Sequence, residues 1–247
     1  IIAYLEGITD GARFIDVARQ VTRHKPVIAL KSGSTGAGAR AASSHTGTLA
    51  GSARAYDAAF NQCGVIRATS VQDLFDYSVA FAYQPLLPGD RIAIVTNAGG
   101  PGIMGTDAVE NSGLTLATLT QETQAYLAER LPAAANVHNP IDVLGDALAD
   151  RYGMAVEAAL KDPNVDGVLV ILTPQVMTQV SESAQAVCDA VERMKDCGKP
   201  VLGCWMGQAI TKAGADILNT HRIPNYQFPE RAAATFKAMS YYRKWRE

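Results

Sequence analysis

The sequence lacks most of the features that would assign it at a glance. No apolar run approaches the roughly 18 residues that a membrane helix needs, which excludes a helical span. Charge of one sign is gathered nowhere. The 22 Lys and Arg stand against 24 Asp and Glu, for a net charge of −2, so neither nucleic acid nor an anionic membrane is expected as a partner. Cysteine is scarce, and Cys63, Cys188, Cys197 and Cys204 form no C-x-x-C; they read as reduced, mostly buried thiols of a cytoplasmic protein. His24, His138 and His221 are scattered, so no metal site is expected. There is no G-x-S-x-G hydrolase elbow and no G-x-x-x-x-G-K-[ST] phosphate loop. No secretory leader is expected. Ile1 begins in a strand-like run without a methionine, and sequence upstream of it is expected.

What is present is a repeating alternation. Short apolar runs at Ile1 to Leu5, Val27 to Leu30 and Gly64 to Arg67 alternate with helical patterns at Ala12 to His24, Thr48 to Cys63 and Val71 to Tyr83. Gln84 to Asp90, with two prolines and a glycine, reads as a boundary. The pattern then restarts, with strands expected at Arg91 to Thr96, Leu114 to Leu119, Val165 to Leu172, Pro200 to Met206 and Ile223 to Tyr226. Leu131 to Asp146 reads as a long loop. Such alternation builds α/β domains on parallel sheets. Residues 1–85 and 86–247 are the expected domains. Three strands make a poor sheet on their own, so the first domain is expected to be N-terminally truncated.

Ligands of such sheets sit at the carboxyl ends of the strands. Three unusual turns fall there: Glu6-Gly7, Lys31 to His45, and Asn97 to Gly102. The second is crowded with glycine, serine and threonine, which suits close approach to an anion. It carries His45, which is nucleophilic when neutral. A carboxylate on the opposite ring N–H would fix the tautomer and stabilise developing positive charge, and Glu6 ends the neighbouring strand. The alternative is a surface histidine beside a helix start capped by Ser43, Ser44 or Thr46.

Asn97-Ala-Gly-Gly-Pro-Gly102 offers backbone N–H groups and a helix dipole to an anion. Asn97, Gly99, Gly100 and Gly102 are therefore candidate phosphate-binding residues. Gly100, Gly102 and Gly105 also match the dinucleotide pattern G-x-G-x-x-G, which keeps a nicotinamide-dinucleotide-binding protein as an alternative. No acidic residue ends the next expected strand to contact a ribose. Asn139-Pro-Ile-Asp142 could contact a substrate or order its loop through an Asx turn.

Tyr4-Leu-Glu-Gly7, Lys31-Ser-Gly33, Ala42-Ser-Ser-His-Thr-Gly47 and Leu49-Ala-Gly51 resemble the nucleoside-diphosphate-forming acyl-CoA synthetases, the ADP-forming acetyl-CoA synthetases related to succinyl-CoA synthetase. Thr96 to Gly102, Asn139 to Asp142, Asp162 to Asp166 and Pro229-Glu230 resemble the same family's next domain. The resemblance covers essentially the whole chain. It implies two flavodoxin-like three-layer parallel-sheet domains, with a CoA-binding domain and an ATP-grasp unit lying elsewhere, fused or on a separate subunit of a homo- or hetero-oligomer.

By this resemblance His45 is phosphorylated during turnover, Glu6 pairs with it, and helix N-termini bind its phosphate, one of them at Asn97 to Gly102. Ser44, Thr46 and Gly47 beside it are phosphate-binding candidates. The implied reaction interconverts acyl-CoA, ADP and phosphate with a carboxylic acid, ATP and CoA; nucleotide and Mg2+ are bound outside this chain. A non-catalytic regulatory module, like the related regions fused to some bacterial protein acetyltransferases, is the alternative. A sensor needs no nucleophile, so His45 with Glu6 favours the enzyme.

Overall fold

The computed structural model describes all residues except 34, 39 and 41–52. His45, Ser44, Thr46 and Gly47 lie outside the described residues, as does the start of the helix expected from Thr48. The chain divides into two compact units: Ile1–Phe81 with Tyr241–Glu247, and Ala82–Ser240.

The first unit is built on strands β1 (Ile2–Leu5), β2 (Ile28–Lys31) and β3 (Ile66–Ala68), all parallel, in the order β1-β2-β3. The middle strand is buried along its whole length, as expected for a continuous apolar run in a parallel sheet. Helices α1 (Gly11–Thr22), α2 (Ala53–Cys63) and α3 (Val71–Tyr83) connect or follow these strands. Asp10 caps α1, its carboxylate accepting from the Arg13 N–H at 2.9 Å. Phe60, Tyr56, Ala29 and Val65 form the core against α1, and the Phe14 and Phe60 rings lie 5.9 Å apart. Gly64, at φ +68°, follows α2; a Cβ there would collide with the Trp245 ring. Glycine is required on both counts, conformation and space. Tyr242 secures the same unit by donating its hydroxyl to the Thr22 carbonyl at 2.7 Å.

The second unit contains β4 (Arg91–Thr96), α4 (Gly99–Asn111), β5 (Thr115–Leu116), α5 (Gln121–Arg130), β6 (Ile141–Asp142), α6 (Ala149–Lys161), β7 (Gly167–Leu172), α7 (Val180–Arg193), β8 (Val201–Trp205), α8 (Lys212–Thr220) and α9 (Pro229–Arg246), the last of which runs on into residues of the first unit. The sheet is parallel, ordered β5-β4-β7-β8, with β6 also pairing β4. Leaving β6 aside, this is the 2-1-3-4 order of a flavodoxin-like sheet. One face carries Ala93, Val95, Val168, Val170 and Val201 against α5, α6, α7 and α8. The other carries Ile94, Leu169 and Ile171 against Gly105 of α4, so the unit has three layers.

The amino end of this sheet is closed by two acids. Asp166 accepts from the Arg91 backbone N–H and Nε, each at 2.9 Å, and from Nη2 at 2.9 Å. Asp162, 1% exposed, accepts from the Thr120 N–H at 2.8 Å and the Asn164 N–H at 2.8 Å. Burial alone would raise both carboxyls, but these donors outweigh it and hold both below the ordinary range.

Three expectations need correction. Ile223 to Tyr226 is not a strand; it makes a single parallel bridge, Asn225 to Gly203. Pro224 has no N–H for a ladder, and the Asn225 side chain takes over one position by accepting from the Trp205 N–H at 2.8 Å. The strand expected at Leu114 to Leu119 stops at Leu116, and the expected loop Leu131 to Asp146 instead contributes β6. Asn139 links these two changes. Its amide accepts from the Ile94 N–H at 2.9 Å and donates to the Ile92 and Ala117 carbonyls at 2.8 and 2.9 Å. One side chain thus fills the gap along β4 between β5 and β6.

Among the described residues no helix is long and apolar enough to cross a membrane, and no group of three or more His, Cys, Asp or Glu could hold a metal ion.

Candidate functional site

In the first unit, β1 and β2 run in register with Leu5 opposite Lys31. The Ser32 N–H then bonds the Leu5 carbonyl at 3.0 Å, which keeps the two chains together where they leave the sheet. Glu6, half-buried, therefore stands beside the start of the segment that carries His45 in sequence. Lys31 is buried, with its Nζ 4.6 Å from the centroid of the Tyr56 ring. Tyr56 in turn accepts from the Ile8 N–H at 3.1 Å, fixing the turn after Glu6. Arg67, paired with Asp57, stands on the adjoining strand, opposite Ala29. Burial chiefly, and the Arg67 charge after it, push the Lys31 ammonium below its usual range; the Glu6 carboxylate acts the other way. Two cations and two carboxylates thus crowd one end of a three-stranded sheet.

In the second unit the chain leaves β4 for β5 on one side and later returns to β7 on the other. The crevice between β4 and β7 is the topological switch point, where ligands of open α/β sheets bind. Asn97 stands at its mouth, 2% exposed. Its Nδ2 donates to the Thr173 carbonyl at 2.8 Å, and its Oδ1 accepts from the Thr173 N–H at 2.9 Å and hydroxyl at 3.1 Å. The Asn97 side chain is a brace across the crevice. Tyr152, fully buried, supports the same strand ends by donating to the Ile171 carbonyl at 3.1 Å. Burial first, and the Asp142 charge after it, raise that hydroxyl well above its ordinary range, so it stays protonated.

Helix α4 begins on this crevice. Its N-cap is Ala98, which offers no side-chain acceptor. Gly99 and Gly100 are exposed, and their N–H groups have no partner within the helix. A Cβ at Gly100 would meet nothing within 4 Å, and one at Gly99 only the Asp142 carboxylate at 3.9 Å. Gly102 differs. It is buried, its N–H bonds the Ala98 carbonyl at 3.1 Å, and a Cβ would lie 3.1 Å from the Thr96 methyl. The four candidates of this turn therefore separate: Gly99 and Gly100 present N–H groups outward, while Asn97 and Gly102 shape the turn. Asp142, the end of the Asn139-Pro-Ile-Asp142 run, orders its loop by accepting from the Leu144 N–H through Oδ1 at 2.9 Å, and its other oxygen faces Gly99. Gly105, third glycine of the dinucleotide pattern, packs within 3.0 Å of Ile171 as a Cβ would see it, a helix-to-sheet contact.

Residues 1–81 match the family described as succinyl-CoA ligase like flavodoxin domain, and residues 92–246 match the Ligase-CoA domain family. The chain belongs to the Ligase-CoA domain family. It is 43% identical over 242 residues to the alpha subunit of acetate–CoA ligase [ADP-forming] II of Pyrococcus furiosus, a match covering 97% of this chain and 52% of the relative. It is 36% identical to 4-hydroxybutyrate–CoA ligase [ADP-forming] of Nitrosopumilus maritimus, covering 99% of this chain and 35% of that protein. Among solved structures it resembles the dinucleotide forming acetyl-coenzyme A synthetase 1 of Ca. Korarchaeum cryptofilum in complex with phosphate and ADP, with a TM-score of 0.94 and 38% identity over 100% of this chain and 53% of that one. The chain thus spans from about a third to just over half of the length of these three relatives.

Proposed function

We propose that the chain is the phosphohistidine-bearing part of a cytoplasmic, nucleoside-diphosphate-forming acyl-CoA ligase. It works with CoA-binding and ATP-grasp parts, fused or on a separate subunit, and with Mg2+ at the nucleotide. Residues 1–85 form the domain that carries His45, and 86–247 the second flavodoxin-like domain. The reaction joins acyl-CoA, ADP and phosphate to carboxylic acid, ATP and CoA. His45 takes the phosphoryl group, Glu6 holds the imidazole tautomer, and Ser44, Thr46 and Gly47 beside it are phosphate-binding candidates. Gly99 and Gly100 bind phosphate through backbone N–H groups, in a turn shaped by Asn97 and Gly102.

The observation that carries this reading is the register of Leu5 with Lys31. It sets a carboxylate where the glycine- and hydroxyl-rich segment departs. A base-stabilising carboxylate next to a histidine nucleophile is what phosphoryl transfer through nitrogen needs. The likeness to ADP-forming ligases supports it. The complete enzyme, given γ-labelled ATP, should acquire an acid-labile, base-stable phosphate. His45→Asn should abolish the label, and Glu6→Gln should slow its appearance by about ten- to a hundredfold, the range for a carboxylate that orients a histidine. Equal labelling of wild type and His45→Asn would end the reading.

A further inference from the structure

The phosphate site proposed at the start of α4 has a carboxylate beside it, the opposite of the charge an anion site ordinarily gathers. Asp142 ends β6, in register with Thr96 at the end of β4. Its backbone is held on both sides. It exchanges N–H to carbonyl bonds with Asn136 at 3.0 and 3.1 Å, and the next N–H, of Val143, bonds the Thr96 carbonyl at 2.8 Å. The side chain is aimed as firmly. Oδ1 accepts from the Leu144 N–H at 2.9 Å, which turns Oδ2 toward Gly99, 3.9 Å from where a Cβ would stand.

That carboxylate does not cap the helix. Among the described residues the Leu144 bond is the one hydrogen bond its side chain makes, so the Gly99 and Gly100 N–H groups are left to a ligand. An acid kept to stabilise a helix start sits at the cap and accepts from the first N–H groups; here the cap is Ala98. The space in front of the turn is open. A Cβ on Gly100 would meet nothing within 4 Å, and Asp142 is the single described neighbour at Gly99. Backbone donors and a carboxylate acceptor thus face a common gap. An oxyanion without a proton is repelled by the carboxylate. One that carries a hydroxyl satisfies the donors and the acceptor together.

We propose that Asp142 sets the anion specificity of this site, accepting a hydrogen bond from the P–OH of inorganic phosphate and rejecting fully ionised oxyanions such as sulfate. The inference rests on the phosphate-binding reading of α4 and adds which anion that site admits. A site built to hydrogen-bond a ligand hydroxyl discriminates against the analogue that lacks it, because its acceptor is left facing bare charge. Phosphate keeps a P–OH at neutral pH and sulfate keeps none.

The test uses the complete ligase running in the acyl-CoA-consuming direction, read by ATP formation at constant ionic strength, with sulfate or arsenate competing against phosphate. Arsenate, which keeps an As–OH, should inhibit wild type, and sulfate should do so at least about tenfold more weakly, the weight of a charge-assisted hydrogen bond. In Asp142→Asn the Leu144 N–H still holds the amide oxygen, so the amide NH2 faces Gly99 and can donate to either anion. The sulfate inhibition constant should then fall by about tenfold relative to the phosphate KM, while that of arsenate tracks the phosphate KM. A purely structural Asp142 would move KM or melting temperature without moving that ratio. An unchanged ratio overturns the assignment, and so does a wild type that sulfate inhibits as well as arsenate does. Should Asp142→Asn fail to fold by circular dichroism, Asp142→Ser, whose hydroxyl can keep the Leu144 bond, is read by the same criteria. A wild-type enzyme that never labels on His45 defeats the proposed function. Normal labelling with unaltered sulfate discrimination in the variant defeats Asp142 alone.

Discussion

Asn97 and Thr173 are joined at three points, one amide side chain meeting the N–H, the carbonyl and the hydroxyl of a single residue across the β4–β7 crevice. A Cβ on Gly145 would sit 3.8 Å from the Asn97 backbone carbonyl. Asn97→Ala would leave Thr173 without these partners. Thr173 is half-buried, so water replaces part of the loss, and the expected destabilisation is about 1–3 kcal/mol. Urea denaturation should show a lower midpoint with unchanged slope. A midpoint within error of wild type would mean the brace carries no stability.

The glycines of the α4 turn should respond in opposite ways. Gly102→Ala drives a methyl to 3.1 Å from the Thr96 methyl and should cost about 1–3 kcal/mol as overpacking. Gly100→Ala meets open space and should leave the melting temperature unchanged or slightly raised. Equal losses in both variants would contradict the division between a packed and a presenting glycine.

Gly64 and Trp245 form a pair that can be read by a double-mutant cycle. Gly64→Ala should cost about 1–2 kcal/mol for the left-handed backbone and about 1–3 kcal/mol more for the clash with the ring. In a Trp245→Ala background only the first part should remain. A cost that stays the same in both backgrounds would show that the ring is not what Gly64 accommodates.

Acid should weaken the second unit through Asp162 and Asp166. Both carboxyls are held below the unfolded value of about 3.9. A depressed native pKa adds stability that is full above the unfolded value and disappears as pH falls through the lower native one. Unfolding midpoints measured from neutral pH downward should therefore be flat on this account until about pH 4 and then decline. Asp166→Asn should be less stable than wild type at neutral pH, because Arg91 loses its charged partner, and its acid decline should be shallower. A steeper decline in the variant would reverse the assignment.

The alternation of strands and helices was legible because β4, β7 and β8 are buried on both faces and so read as unbroken apolar runs. The turns at Glu6 and Asn97 were legible because glycine directly after an apolar run lets the chain reverse or a ligand approach the backbone. Asn139 was not. A side chain replacing a strand in a ladder leaves no period of 2 or 3.6, and its motif read equally well as an Asx turn. The last expected strand failed on Pro224, whose missing donor outweighs the apolar character around it. The division among the glycines was hidden in another way: which of them face the sheet depends on where α4 starts, and Ala98 is not a residue that announces a cap. The depth of Lys31 was equally hidden, since a lysine closing a strand normally reaches water.

The ladder position filled by Asn139 has a consequence for motion. The edge of β4 that leads to the candidate anion site is held by a side chain of the 131–146 excursion, not by continuous strand β5. A local opening that released Asn139 would leave the β4–β7 pairing in place. The Ile94 amide should then exchange with deuterated solvent at the rate of this local opening, sooner than the Val168 and Val170 amides of β7 inside the sheet, which wait for a larger unfolding event.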